Sequence, residues 1–253
     1  MDDNNFEKEE KSDLKIWYNH IKKADMCVPN SVYVMIHSNI ANNYSLDNEL
    51  ISINEIASKL GYSQGFGTKI TNANIQKLSS YLRKKLLSKG IKDLDLDVGI
   101  DDDINFSNAY SRIKQMQVVT VCFIFSIYRG YFKKNKKEVP CLKTSDISNS
   151  SSHCIVLFPI SSDEVLLIDP NCEYFTSNNP ESIYEFVNRN SNKVIKMNLD
   201  DFKNKIFLVR HDNLDISNRQ LIYTDIKYND IKGIKQMTLE ESLKEKSINE
   251  DSL

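Results

Sequence analysis

The sequence predicts an α+β protein in which an N-terminal helical half packs on an antiparallel sheet built by the C-terminal half. Two observations carry this. Before residue 118 the apolar residues recur at helical spacing, as in Val32, Met35, Ile36 and Ile40, or Ile75, Leu78, Leu82 and Leu86. From Val118 the chain changes character: Val118 to Phe125 is a β-branched and aromatic run with the length of a buried strand. Two further apolar runs, His153 to Phe158 and Val165 to Ile168, flank the polar Ser161-Ser162-Asp163-Glu164 and read as a hairpin.

Taken in order, residues 1–13 are polar and are expected to form a disordered tail. A first helix is expected from Cys27, with Pro29 in its first turn. Ser52-Ile53-Asn54-Glu55 is a capping box, and Gly61 a stop, for a short second helix carrying Ile56 and Leu60. Residues 62–71 read as a loop. The spacing predicts a helix over 72–88, with Lys84, Lys85 and Lys89 complementing its carboxyl end, and another over 107–114. The lysine- and serine-rich stretch 133–152 is expected to be a loop leading into His153. Beyond the hairpin, Asn179-Pro180-Glu181 opens a helix with Ile183, Phe186 and Val187, and strands are expected near 193–197 and 205–210. Residues 14–211 are thus expected to form one domain. Residues 212–253 read as a polar extension ending in a capped helical segment at Thr238-Leu239-Glu240-Glu241, to which no function is assigned.

Composition narrows the functional classes. The chain has 253 residues, 40% of them apolar, enough for one full core. Its 33 lysines and arginines against 35 acidic residues give a net charge of -2, which supplies no electrostatic argument for nucleic acid or an anionic membrane. The apolar stretch Val118 to Ile127 is too short to cross a bilayer as a helix, and the acidic start MDDNNFEKEEKSD does not read as a signal peptide. Five scattered cysteines without a CxxC pair argue against a disulfide framework and against a zinc cluster. A reducing, cytoplasmic setting is the expectation, with signal-less export as an effector the other route. Asp101-Asp102-Asp103 lacks the ligand spacing of a calcium loop and reads as a solvated turn, and Gly65-Phe66-Gly67 lacks the strand and glycine pattern of a nucleotide cradle.

The chemistry concentrates at the hairpin. His153 opens one strand and Asp169 closes the next, so the two ends lie side by side, and a carboxylate beside an imidazole fixes its tautomer and stabilises the imidazolium. Such a base serves a nucleophile, and Cys27 sits at a helix N-terminus, where the helix dipole favours a thiolate. A cysteine on an early helix, followed by strands bearing a histidine and then an aspartate, resembles the order of the papain-like cysteine peptidases. Within that group the chain is most similar to the bacteriocin-processing, double-glycine-leader type. The similarity lies in Asp25-Met26-Cys27-Val28-Pro29-Asn30, in the helix Ile53 to Leu60, in the His153 and Asp169-Pro170 strands, and in Asn198-Leu199-Asp200-Asp201-Phe202 ahead of Ile206 to Val209. The resemblance implies a papain-like fold. It implies Cys27 as nucleophile, His153 as general base and acid, Asp169 as the group orienting His153, a peptide or protein substrate, and no metal or organic cofactor.

Two positions depart from the family pattern. Val28 stands where the family has glycine, placing a β-branched side chain beside the nucleophile. Ile21 stands where the family has an oxyanion-stabilising glutamine, leaving His20 and Asn19 as the nearest polar candidates. Taken singly, Cys27 reads equally as a small buried hydrophobe, His153 as a strand-end filler and Asp169-Pro170 as an ordinary turn. His37 and His211 read as structural or solvated. Cys122 and Cys154 read as buried and inert, while Cys141 and Cys172 read as exposable, with Cys172 the rival thiol. A papain-fold acyltransferase of the transglutaminase-like kind, and a binding module of the same fold with weakened catalysis, are the alternatives to a peptidase.

Overall fold

The computed structural model describes residues 14–21, 23, 25–45, 48–134, 152–174, 177, 179–209 and 219–228. Strand β1 (Lys15–Ile16) leads into α1 (Cys27–Asn43), followed by α2 (Ile53–Leu60), a small hairpin of β2 (Tyr62–Ser63) and β3 (Gly67–Thr68), and α3 (Asn72–Ser88). Then come β4 (Leu94–Asp101), α4 (Ser107–Lys114), β5 (Val119–Ile124) and α5 (Phe125–Lys134). The second half continues with β6 (Ser152–Pro159), β7 (Glu164–Ile168), β8 (Glu181–Ser182), α6 (Ile183–Arg189) and β9 (Ile195–Asn198). Helix α7 (Leu199–Phe202) runs into one turn of π-helix (Lys203–Phe207), and β10 (Gln220–Tyr228) follows. The fold is α+β, with helices packed on a six-stranded antiparallel sheet of order β4-β10-β5-β6-β7-β9.

Both faces of that sheet are covered, which explains why β5 reads as an unbroken apolar run. Cys122, Cys154, Val156, Phe158, Leu166 and Ile168 join the core beneath α1, α2 and α3. The alternate residues Val119, Val121, Phe123, Ile155, Leu157, Val165 and Leu167 join a second core with α4, α5 and α7.

Helix α1 is buried around its whole circumference from Val28 to Ile40, so its polar residues must find partners inside the protein. They do. Ser31 donates to the Cys154 carbonyl at 3.3 Å, and Ser38 accepts from the Trp17 N–H at 3.2 Å. Asn39 bonds both backbone groups of Val118, at 2.7 and 2.9 Å, and the Thr224 hydroxyl at 2.8 Å. These bonds fix the rotation of α1 over the sheet. Helix α2 forms the expected capping box: the Ser52 hydroxyl accepts from Glu55 N–H at 3.3 Å, the Glu55 carboxylate accepts from Ser52 N–H at 2.9 Å, and Gly61 ends the helix at φ 72°.

Several expectations are corrected. The stretch 212–253, read as a polar extension, contributes β10, which pairs with β4 on one side and β5 on the other in the sheet interior. The strand expected near 205–210 is absent, because Lys203–Phe207 winds on from α7 and buries Ile206 and Phe207 against Phe106 and Phe202. Strand β4 was not anticipated, although Leu94, Leu96 and Val98 alternate with aspartates at period two. Helix α5 begins at Phe125, inside the run read as strand. Asp103 is a buried cap rather than a solvated turn, accepting from the N–H groups of Asn108 and Ala109 at 3.2 and 2.8 Å. Cys122 and Cys154, read as inert thiols, form a disulfide across directly paired positions of β5 and β6. The tail 1–13, Cys141 and most of the 133–152 loop, His211, and the helix expected at 238–241 lie outside the described residues.

Candidate active site

Cys27 is the first residue of α1, half-buried, and the preceding Met26 supplies no side-chain cap to the helix. Ser31, one turn on, is bound to the backbone of Cys154, so the start of α1 is pinned against the residue that follows His153. The paired register of β6 and β7, Val156 opposite Ile168, continues to put Asp169 opposite Ile155 and diagonal to His153 on one face. Both carboxylate oxygens of Asp169 lie 3.1 Å from His153 Nε2. The Cys27 side chain also interacts with His153 and favours its charged form. The structure thus brings together the three residues that sequence reasoning singled out.

Burial sharpens the electrostatics. His153 is 2% exposed and Asp169 0%. Burial by itself opposes charging the imidazole, but the Asp169 carboxylate outweighs it, with a smaller contribution from Cys27, and the His153 pKa is held up at about 10. The ring therefore stands as an imidazolium at neutral pH. Asp169 is held in turn by the Asn171 N–H at 2.9 Å, and its own N–H points to the Tyr174 hydroxyl at 3.4 Å. Tyr174 donates to the Lys193 carbonyl at 3.3 Å and packs edge-on against Tyr18.

Three rings that sequence reasoning missed enclose His153. Phe125 stands edge-on at 5.4 Å between centroids, Tyr128 at 6.0 Å and Phe123 at 6.4 Å. The available signal was the spacing of Phe125, Tyr128 and Phe132 at three and four residues directly after a strand, one face of a helix.

The two oxyanion candidates differ in what they are committed to. Asn19 accepts from the His20 N–H at 2.8 Å. Its amide oxygen is therefore occupied. The segment that carries them is clamped to the first turn of α1, since Asn30 accepts from Ile21 N–H at 3.4 Å and donates to Ile21 carbonyl at 3.3 Å. Ile21 is half-buried, and Val28 is buried beside Cys27.

The remaining candidates separate cleanly. Cys172, the rival thiol, is fully buried rather than exposed, and its N–H donates to the Asp169 carbonyl at 2.9 Å. His37 lies buried within α1, where Nδ1 faces the Tyr33 carbonyl at 2.9 Å and Nε2 accepts from the N–H groups of Leu50 and Ile51 at 3.1 and 3.4 Å. Burial pushes its pKa down to about 4. Among the described residues, no group of three or more histidine, cysteine, aspartate or glutamate side chains is arranged to hold a metal ion, and no helix is long and apolar enough to cross a membrane.

No family model matches this sequence, and no curated protein does. Among solved structures the chain is similar to that of a candidate C39-like peptidase from Bacillus anthracis, at 11% identity over 83% of this chain and 94% of that one, with a TM-score of 0.39. A likeness so distant carries no functional information, and the chemistry of this site has to be read from its own residues.

Proposed function

We propose that the chain is a papain-like cysteine peptidase that cleaves peptide or isopeptide bonds through a thioester intermediate. The observation that carries this reading is that His153 interacts with both a carboxylate and a thiol, is charged and is shielded from water. Cys27 attacks the carbonyl carbon as a thiolate beside the already protonated His153. The resulting oxyanion is met by the Cys27 N–H and by His20, whose backbone N–H is held by the Asn19 amide oxygen. His153 gives its proton to the departing amine, leaving an acyl group on sulfur. It then takes a proton from the water that attacks the thioester, which releases the carboxylate product and restores the thiolate. Asp169 keeps one imidazole nitrogen aimed at the sulfur throughout. The Asp25-Met26-Cys27 motif supports placing the enzyme beside the double-glycine-leader peptidases.

Alkylation by iodoacetamide near neutral pH, mapped by mass spectrometry, tests the nucleophile. Cys27 is expected to react ahead of Cys172, and peptide hydrolysis to vanish in Cys27→Ala and to fall at least about a hundredfold in His153→Ala. Alkylation spread evenly over the thiols, or concentrated on Cys172, sinks the assignment.

A further inference from the structure

The β2–β3 hairpin stands beside the nucleophile and presents an unusual side chain. Phe66, at its tip, is 92% exposed, against 63% for Leu87 and 42% for Ile104, the other large apolar residues exposed among those described. A single exposed apolar residue needs no explanation by itself. What distinguishes Phe66 is the backbone that holds it and what that backbone is fastened to.

The tip is a tight, hydrogen-bonded turn. Phe66 N–H donates to the Ser63 carbonyl at 3.1 Å, Tyr62 pairs with Thr68 and Ser63 with Gly67, and Gly65 and Gly67 take φ values of 81° and 74° that favour glycine. The hairpin hangs from Asp25, two residues before Cys27. Asp25 accepts from Gly65 N–H at 2.7 Å and from the Tyr62 hydroxyl at 2.9 Å, and its carbonyl lies 3.6 Å from where a Gly67 β-carbon would sit. The Gly65 N–H and the Tyr62 hydroxyl outweigh burial and keep the Asp25 carboxyl below its usual range, so the clamp is a charged one at neutral pH. Strand β3 packs against α1 itself. Two residues of chain and one side chain separate the sulfur from the hairpin, so the Phe66 ring stands within about 20 Å of Cys27, the length of about six residues of extended peptide.

We propose that this hairpin is a substrate-gripping finger, in which the Phe66 ring packs on a bulky apolar side chain of the peptide within about six residues of the scissile bond. The inference rests on the cysteine-peptidase reading and adds the class of substrate. An apolar residue near the cut completes a contact that the free protein leaves to water, and Asp25 couples that contact to the nucleophile's own segment.

A proteome-derived peptide library, digested by the wild type and read by mass spectrometry over six residues on each side of every cut, tests the idea. The expected result is enrichment of Phe, Leu, Met, Trp or Tyr at one position. A consensus peptide carrying that residue should lose at least about tenfold in kcat/KM with Phe66→Ser and recover most of it with Phe66→Leu. The exposed tip lets both variants fold, which near-UV circular dichroism verifies. Cleavage without an apolar preference, or a preference that survives Phe66→Ser, overturns the finger while leaving the peptidase. A wild type that neither cleaves the library nor alkylates at Cys27 removes the peptidase reading and the finger with it.

Discussion

Two buried histidines, His37 and His153, are driven to different protonation states by their neighbours. His37 meets a carbonyl on one nitrogen and two N–H groups on the other, with no carboxylate bonded to its ring, so burial wins and keeps it neutral. His153 meets Asp169, and the carboxylate wins over burial. A pKa raised from 6.5 to about 10 means that the folded state holds the proton more tightly than the unfolded chain. The pairing's contribution to stability is therefore fully present below pH 6.5 and is lost as pH rises through about 10. In the proposed mechanism the imidazolium protonates the leaving amine, so the alkaline limb of the pH profile is expected far above the ordinary histidine range, near pH 10. Asp169→Asn removes the charge that raises the pKa and should bring that limb down toward neutrality. A limb at pH 6.5 in the wild type contradicts the pairing. At this scale the residues were legible: a histidine opening one strand and an aspartate closing the next must be neighbours in a hairpin, and a cysteine before a first-turn proline marks a helix start. The ring cage is what sequence reasoning misses, since residues 126–132 fall in no expected element although Phe125, Tyr128 and Phe132 keep helical spacing.

The elements split in the same way. Helices α2, α3 and α4 follow from signals contained within a few residues, such as the Ser52-Glu55 box and the Gly61 stop. The turn after α7 does not, since Ile206 and Phe207 fit a strand by propensity and are claimed instead by the aromatic cluster with Phe106 and Phe202. The Cys122–Cys154 bond belongs to neither strand alone. It exists because β5 and β6 pair in the register that sets those two residues opposite each other, 32 positions apart in the chain. Closing a loop of that length restricts the unfolded chain by about 3–4 kcal/mol. Dithiothreitol is expected to lower the urea midpoint of the wild type by a corresponding amount and to leave a Cys122→Ala, Cys154→Ala double variant unmoved. An identical response from both would mean that the strands are not stapled.

For the whole molecule the decisive strand is the last one described. Strand β10 lies between β4 and β5, contributes Ile222 to one core and Leu221 to the other, and ties to α1 through Thr224 and Asn39. A chain ending at residue 211 would leave β4 without its sheet partner and the interior edge of β5 unpaired. Such a truncation is expected to abolish the cooperative thermal transition followed by far-UV circular dichroism, whereas a dispensable extension would leave the transition in place. By itself, the sequence determined whatever a few adjacent residues can encode: helix caps and stops, the β6–β7 hairpin, and the order in which thiol, imidazole and carboxylate occur along the chain. The tertiary structure alone decided which distant segments became neighbours, namely β10 inside the sheet, Cys122 against Cys154, and three rings around His153. The physical reason is that such choices are made by burying both faces of one sheet at once, and that condition is met only when segments a hundred residues apart are already in place.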